Sequence, residues 1–112
     1  MQLMTNELEQ RFAEVGSQDH INDPLVLMKF FYSNGVGTWW ATEYNPRTRI
    51  FFGFVLLFDG AQGGEWGYFS LDEMQDLRVL NLGIERDLWW KEKRCSEIKK
   101  IMEKSPWIGV PA

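Results

Sequence analysis

Two strong turn signals divide residues 25–58 into three short apolar segments, and this division constrains the fold more than any other feature. The first signal is Asn34-Gly35, a dipeptide favoured in two-residue β-hairpin loops. The second is Asn45-Pro46-Arg47-Thr48, which has proline at the second position of a β-turn. The segments have the length of ordinary strands and are Leu25–Tyr32, Thr38–Tyr44 and Arg49–Phe58. Short strands joined by tight turns predict an antiparallel meander.

The segment Arg49–Phe58 is apolar on both faces, so we expect it inside the sheet with a helix over at least one face. Gly53, at its middle, is typical of a bulge or of a close approach between two backbones. After a loop at Asp59–Gly64, a short fourth strand is predicted at Glu65–Phe69. Asp87–Lys91 is a candidate fifth strand.

Three segments show the three- and four-residue spacing of apolar side chains that predicts helices. Residues 3–15 form the first, with a capping-box pattern that starts at Asn6 and with Gly16 as the terminating residue. Ser70 starts the second helix, again with a capping box. Ser96–Lys104 is the third and shortest. The predicted fold is therefore α+β, an antiparallel meander sheet of four to five strands with two to three helices.

Length and composition narrow the class of protein. The 112 residues fit one domain, residues 1–112. A net charge of −4 suits a basic protein partner and weighs against a general nucleic-acid binder. The single cysteine, Cys95, excludes an intramolecular disulfide, as expected in a reducing compartment. The longest apolar run, Ile50–Phe58, is far short of the ~20 residues that cross a membrane, and residues 1–16 lack a signal-peptide core. We expect a cytoplasmic protein without membrane contact.

The sequence contains no pattern typical of a catalytic or metal centre. His20 is the only histidine, and its neighbours Asp19 and Asp23 do not match the spacing of zinc ligands. Cys95 follows several cations, but a cysteine nucleophile also needs a base, and only His20 is available. We expect no enzymatic activity, no cofactor and no metal. One alternative stays open, in which the sheet gathers a nuclease-like group of acids and bases: Glu43, Asp87, Lys29 and Arg86.

Aromatic residues are unusually frequent, with six Trp, eight Phe and three Tyr. Trp39-Trp40 and Trp89-Trp90 both fall on predicted strands, where neighbouring side chains point to opposite faces. We expect one Trp of each pair in the core and the other on the surface, unless a helix covers the second face too. Exposed rings near Arg47, Arg49 and Lys91 would stack nucleobases or anchor a protein partner.

Five stretches carry a resemblance to a family of small proteins of unknown function, found mostly on bacterial plasmids, integrative elements and phage. They are Asp23-Pro24 with Lys29-Phe30-Phe31, Thr38 to Tyr44, Phe51 to Val55, Gly67 to Glu73, and Ile84 to Trp90. The resemblance covers roughly residues 3–98 and leaves 99–112 as a C-terminal extension. It implies an accessory protein of a mobile element. A similar protein inhibits the RNA-guided nuclease Cas9, so the resemblance also implies an anti-CRISPR role. The resemblance implies no catalytic residues, because the family has none established.

The leading hypothesis is an inhibitor that binds a basic protein partner, a Cas9–guide RNA complex, whose nucleic-acid channel is positively charged. The expected acidic contacts are Glu43, Glu65, Asp72, Glu85 and Asp87, and the expected aromatic anchors are Trp39, Trp66 and Trp89. The alternative is a single-stranded nucleic-acid binder or weak nuclease that uses Lys29, Arg47, Arg49 and Lys91. A third hypothesis is a subunit of a larger complex, and an exposed aromatic face also allows either a monomer or a homodimer.

Overall fold

The computed structural model describes residues 1–57, 63–79 and 82–110. Its strands are β1 (Leu25–Val26), β2 (Met28–Tyr32), β3 (Gly37–Asn45), β4 (Ile50–Leu57), β5 (Glu65–Ser70), β6 (Arg78–Val79), β7 (Leu82–Arg86) and β8 (Lys93–Arg94). Five of them form one antiparallel sheet in the order β5-β4-β3-β2-β7, and the two-residue β6 continues it beyond β7. β1 and β8 pair separately. The predicted α+β fold with an antiparallel meander is confirmed, and β4 lies inside the sheet as expected.

The first helix, α1, spans Asn6–Val15 and begins later than predicted. Its N-cap is Thr5, whose hydroxyl accepts a hydrogen bond from the Leu8 amide at 3.1 Å, so the predicted cap at Asn6 is wrong by one residue. Leu3 and Met4 are buried ahead of the helix, which explains why their apolar character resembled a first helical turn. Gly16, at φ 66°, ends the helix as predicted.

The second helix, α2, spans Leu71–Asp76 and begins at the predicted cap, where the Ser70 hydroxyl accepts from the Glu73 amide at 3.2 Å. The third predicted helix is interrupted. A 3-10 turn covers Cys95–Glu97, Ile98 is extended, and α3 follows at Lys99–Lys104. The break lets Ile98 bury its side chain against the sheet.

Two strand predictions need correction. The segment Leu25–Tyr32 is broken at Leu27, whose amide donates to the Ala41 carbonyl at 2.9 Å, so that β1 separates from β2. Asp87–Lys91 is not a strand. It contains a turn in which the Asp87 carboxylate accepts from the Trp89 amide at 2.9 Å. The fifth strand is β7 instead. Phe58 and residues 59–62 of the loop predicted at Asp59–Gly64 lie outside the described residues.

Each face of the sheet buries its own hydrophobic core. One face packs against α1 and α2, and its centre is Phe51, whose ring centroid lies 4.8–5.8 Å from those of four other rings. Those rings belong to Phe12, Phe30, Tyr44 and Phe69. The opposite face is covered by residues 93–110, here called the C-terminal cover, through buried Cys95, Ile98, Ile101 and Ile108. We call these the closed face and the half-covered face.

Candidate functional site

A β-bulge in β3 decides which face of the sheet Glu43 occupies. Ala41 pairs with Gly53 and Glu43 pairs with Phe52, so Thr42 is the extra residue. Directly opposed residues share a face, which puts Glu43 beside Phe52 on the half-covered face. Strict alternation along Thr38–Tyr44 would place Glu43 on the face of Trp39, and the bulge moves it to the opposite face.

Two residues hold the bulge in place. The buried Gln18 side chain donates to the carbonyls of Thr42 and Leu25, each at 2.8 Å, and its carbonyl oxygen accepts from the Leu25 amide at 2.7 Å. The Gln18 backbone amide donates to Glu43 Oε2 at 2.9 Å. Gly53 lets the two backbones meet, because an added Cβ would overlap the carbonyl oxygen of Trp40. The close approach predicted at Gly53 is confirmed.

Two rows of side chains cross the half-covered face. The first row, Trp40–Phe54–Trp66, lies beneath the C-terminal cover. The second is Glu43–Phe52–Tyr68, here called the open row. The rings of Phe52 and Tyr68 meet edge to face with centroids 5.0 Å apart, and Tyr68 is 78% exposed. The sheet therefore presents a carboxylate and two aromatic rings side by side next to its second core.

The open row lines two adjoining cavities of about 370 and 470 Å³, and Glu43 and Phe52 belong to both. We call them together the aromatic groove. One end runs under the C-terminal cover and is lined by Trp66, Trp107 and Ile108. The other end lies beside the β3–β4 turn and is lined by Tyr68, Pro46 and Ile50. A groove of this volume, mainly apolar with a few polar groups, has the usual features of a binding site.

The charge of the aromatic groove is negative. Its lining among the described residues includes the carboxylates Asp19 and Glu43 and no lysine or arginine. Glu43 is half-buried. It forms no ion pair within residues 1–57, 63–79 and 82–110.

The pair Trp39-Trp40 does not supply the expected surface ring. Both side chains are buried, at 8% and 3% exposure, because the sheet is covered on both faces. Trp39 is therefore a core residue and not a surface anchor. Trp66 is half-buried, packs between Phe52 and Phe54, and donates from Nε1 to the Ser105 hydroxyl at 3.0 Å.

The pair Trp89-Trp90 does divide into one exposed and one packed ring, although it lies on a turn. Trp89 is 91% exposed beside Leu88 at 64%. The Trp90 indole donates to the Val26 carbonyl at 3.1 Å, and Lys93 Nζ lies 4.7 Å from the centroid of its ring. We call the projecting pair the Leu88–Trp89 turn.

The five predicted acidic contacts do not form one patch. Only Glu43 lies in the aromatic groove. Glu65 is on β5 and Glu85 on β7, with three strands between them, so about 19 Å separates the two strands at ~4.8 Å per spacing. Asp72 pairs with Arg49 at 2.7 Å on the surface, and this contact raises the pKa of Arg49. Asp87 holds the Leu88–Trp89 turn.

The nuclease-like group is also dispersed. Lys29 pairs with Trp40 and lies on the half-covered face. Arg86 pairs with Phe30 on the closed face and donates to the Gln2 carbonyl at 3.0 Å. The two bases therefore point to opposite sides of the sheet, so the four residues do not gather into one group.

The described residues give little support for a metal site or a reactive cysteine. His20 is exposed, and Asp23 accepts hydrogen bonds from the amide and the hydroxyl of Ser96. No group of three or more His, Cys, Asp or Glu side chains in the described ranges is placed to hold a metal ion. Cys95 is fully buried, and burial raises its pKa to about 12, so the thiol stays protonated at neutral pH.

Sequence reasoning missed Phe52, Tyr68 and Trp107 as site residues. Phe52 and Phe54 stand two apart, which does signal a shared face. Phe52 lies beside Glu43 and Tyr68 only because of the register in which the strands pair, and that register depends on the bulge. Trp107 reaches the groove because the C-terminal cover folds back over the sheet.

These features define a small α+β domain whose main antiparallel sheet is closed on one face and carries an aromatic, acidic groove on the other. The chain belongs to the family described as protein of unknown function (DUF2958), which matches residues 3–105. The match extends past Ile98 and includes α3. No curated protein and no solved structure gives a significant match. None of the described helices has the length and apolar character needed to cross a membrane.

Proposed function

We propose that this protein acts by binding a basic segment of a protein partner in its aromatic groove. The observation that carries the proposal is the combination of exposed aromatic side chains with carboxylates and no cation along the described lining. Aromatic rings anchor protein–protein interfaces, and an acidic groove attracts lysine and arginine.

The same observation disfavours the nucleic-acid alternative. Binding a single strand requires cations along the backbone path in addition to stacking rings. Arg47 is in the β3–β4 turn and does not line the groove, and Arg49 is paired with Asp72. A phosphate backbone would instead meet Glu43 and Asp19.

For the partner, we propose a Cas9-type effector loaded with its guide RNA, in the cytoplasm. The family resemblance implies a mobile-element accessory protein with anti-CRISPR relatives, and such effectors expose many basic side chains along the nucleic-acid channel. The five acidic residues lie on several surfaces of the domain. This arrangement supports binding of one basic segment in the groove and disfavours imitation of a nucleic-acid backbone by all five residues.

The test is a titration of the protein against a Cas9–guide RNA complex, with target cleavage and direct association measured in parallel. The informative variants are Tyr68→Ala and Trp107→Ala, since both side chains are more than half exposed and should be dispensable for folding. Each should weaken association by roughly 30-fold, the effect of removing a hot-spot residue worth about 2 kcal/mol. Trp89→Ala is the matched control, because it removes an exposed ring that does not line the groove.

The outcomes separate the parts of the proposal. Absence of both association and inhibition would reject the Cas9-type partner. Association that depends on Trp89 but not on Tyr68 or Trp107 would reject the groove as the site. Salt-sensitive binding to single-stranded DNA or RNA, without protein association, would favour the alternative function.

A further inference from the structure

We infer that the open row recognises an arginine side chain of the partner, an inference that rests on the proposed function of the aromatic groove and makes it more specific. The guanidinium would pair with the Glu43 carboxylate and lie against the rings of Phe52 and Tyr68. This names the chemistry that the groove selects within a basic segment.

The Glu43 carboxylate is oriented and has no counter-ion among the residues that the structure describes. Its Oε2 accepts from the Gln18 backbone amide at 2.9 Å, which fixes the direction of the side chain. Glu43 is half-buried and has no cationic partner in the described part of the chain. A partly desolvated negative charge attracts a cation more strongly than a fully solvated one does, and its hydrogen bonds to that cation are charge-assisted.

The neighbouring rings suit a planar cation. Successive members of a cross-strand row lie about 4.5–5.5 Å apart at Cβ, so a group paired with Glu43 also reaches the next ring. Phe52 is held between Tyr68, edge to face, and Trp66, nearly parallel at 19°. Tyr68 leaves most of its surface open. Arginine stacks on aromatic faces and pairs with a carboxylate through the same planar group, which lysine cannot do.

The bulge makes this arrangement specific. Thr42 is the extra residue that moves Glu43 onto the face of Phe52 and Tyr68. The buried Gln18 side chain accepts from one backbone amide and donates to two carbonyls around it, and Gly53 provides the space. Bulges commonly redirect one side chain next to a functional site.

The test uses nuclear magnetic resonance of the 112-residue protein and three capped pentapeptides with glycine at every position except the centre. The central residue is arginine, lysine or citrulline, the last being an uncharged analogue of arginine. The arginine peptide should shift the backbone amide signals of Glu43, Phe52 and Tyr68 in a saturable manner. Its affinity should exceed that of the citrulline peptide by roughly tenfold, the effect of one charge-assisted hydrogen bond of about 1.5 kcal/mol.

The matched variant is Glu43→Gln, whose amide oxygen still accepts from the Gln18 amide and so preserves the bulge. It should remove the preference for arginine over citrulline, whereas Trp89→Ala should keep it. Equal affinity for the arginine peptide and either the lysine or the citrulline peptide, shifts confined to other residues, or a preference over citrulline that survives Glu43→Gln would overturn the inference. Arginine selectivity without association to the Cas9–guide complex would keep the inference and reject only that partner.

Discussion

The two faces of the sheet are built from similar residues but are covered to different extents. On the closed face, two helices cover an aromatic cluster around Phe51, which is fully buried. On the half-covered face, the C-terminal cover buries Trp40 and Phe54 and leaves the open row accessible. The same strand β4 supplies both Phe51 and Phe52, so two neighbouring residues belong to different faces. The comparison shows that how far each face is covered, and not its aromatic content, decides which side chains the sheet presents at the surface.

The largest expected effect comes from replacing the two neighbouring phenylalanines in turn. Phe51→Ala should lower the free energy of unfolding by about 3–5 kcal/mol, since it removes the centre of the closed-face core. Phe52→Ala should cost only about 1–1.5 kcal/mol, because its ring is half-buried. Urea denaturation measures both. Equal losses would mean that the open row is as much a part of the core as the closed face is.

The second effect concerns the bulge. Gly53→Ala should lower the free energy of unfolding by about 3 kcal/mol, because the new methyl group would overlap the Trp40 carbonyl and force the backbones apart. Gly67, its partner on β5, has no atom within 4 Å of an added Cβ, so Gly67→Ala should change stability little. Thermal or urea denaturation of both variants measures the difference. A harmless Gly53→Ala would show that β3 and β4 can separate without cost.

The third effect is the pH dependence of the free energy of unfolding, which reports on the core beneath the C-terminal cover. The pKa of Cys95 rises from an ordinary 9.0 to about 12 because burial disfavours the thiolate. Because the pKa is higher in the folded state, the buried neutral thiol contributes its full stabilisation below pH 9. This contribution to the free energy of unfolding is lost as the pH rises towards 12. The free energy of unfolding should fall by about 1 kcal/mol between pH 9 and pH 10, since half of the unfolded-state thiols are already ionised at pH 9.

The matched variant for this measurement is Cys95→Ala, which should lose most of the decline between pH 9 and pH 10. Alkylation of the native thiol at pH 8 should also be much slower than alkylation in urea, because Cys95 is buried. Rapid native labelling would show that the C-terminal cover opens readily.

The smallest effect is expected at the Leu88–Trp89 turn, which neither core includes. Trp89→Ala should change the free energy of unfolding by no more than about 0.5 kcal/mol, because the side chain is 91% exposed. A larger loss in urea denaturation would mean that this ring packs on the domain in solution.

Local signals predicted the parts of the fold that depend on local chemistry. The turns at Asn34-Gly35 and Asn45–Thr48, the cap at Ser70 and the termination at Gly16 were all identified, because each depends on the backbone preferences of a few adjacent residues. The strand β7 was missed, since its only buried apolar side chain is Ile84.

The candidate site was harder to predict because it depends on pairing between distant segments. Glu43 was predicted as a partner contact, but strict alternation puts it on the wrong face, since nothing in Thr38–Tyr44 marks Thr42 as an extra residue. That information lies in Gly53 and in Gln18, which is 24 residues away. Burial of both Trp39 and Trp40 likewise required knowing that residues 93–110 return to cover the second face.

The position of the C-terminal cover in the chain has a consequence for local unfolding. All five strands of the main sheet precede Lys93, so the cover can open without breaking any strand pairing of that sheet. Opening would expose the Trp40–Phe54–Trp66 row, which the cover packs against. A partly opened molecule therefore presents a hydrophobic sheet face that the closed molecule conceals.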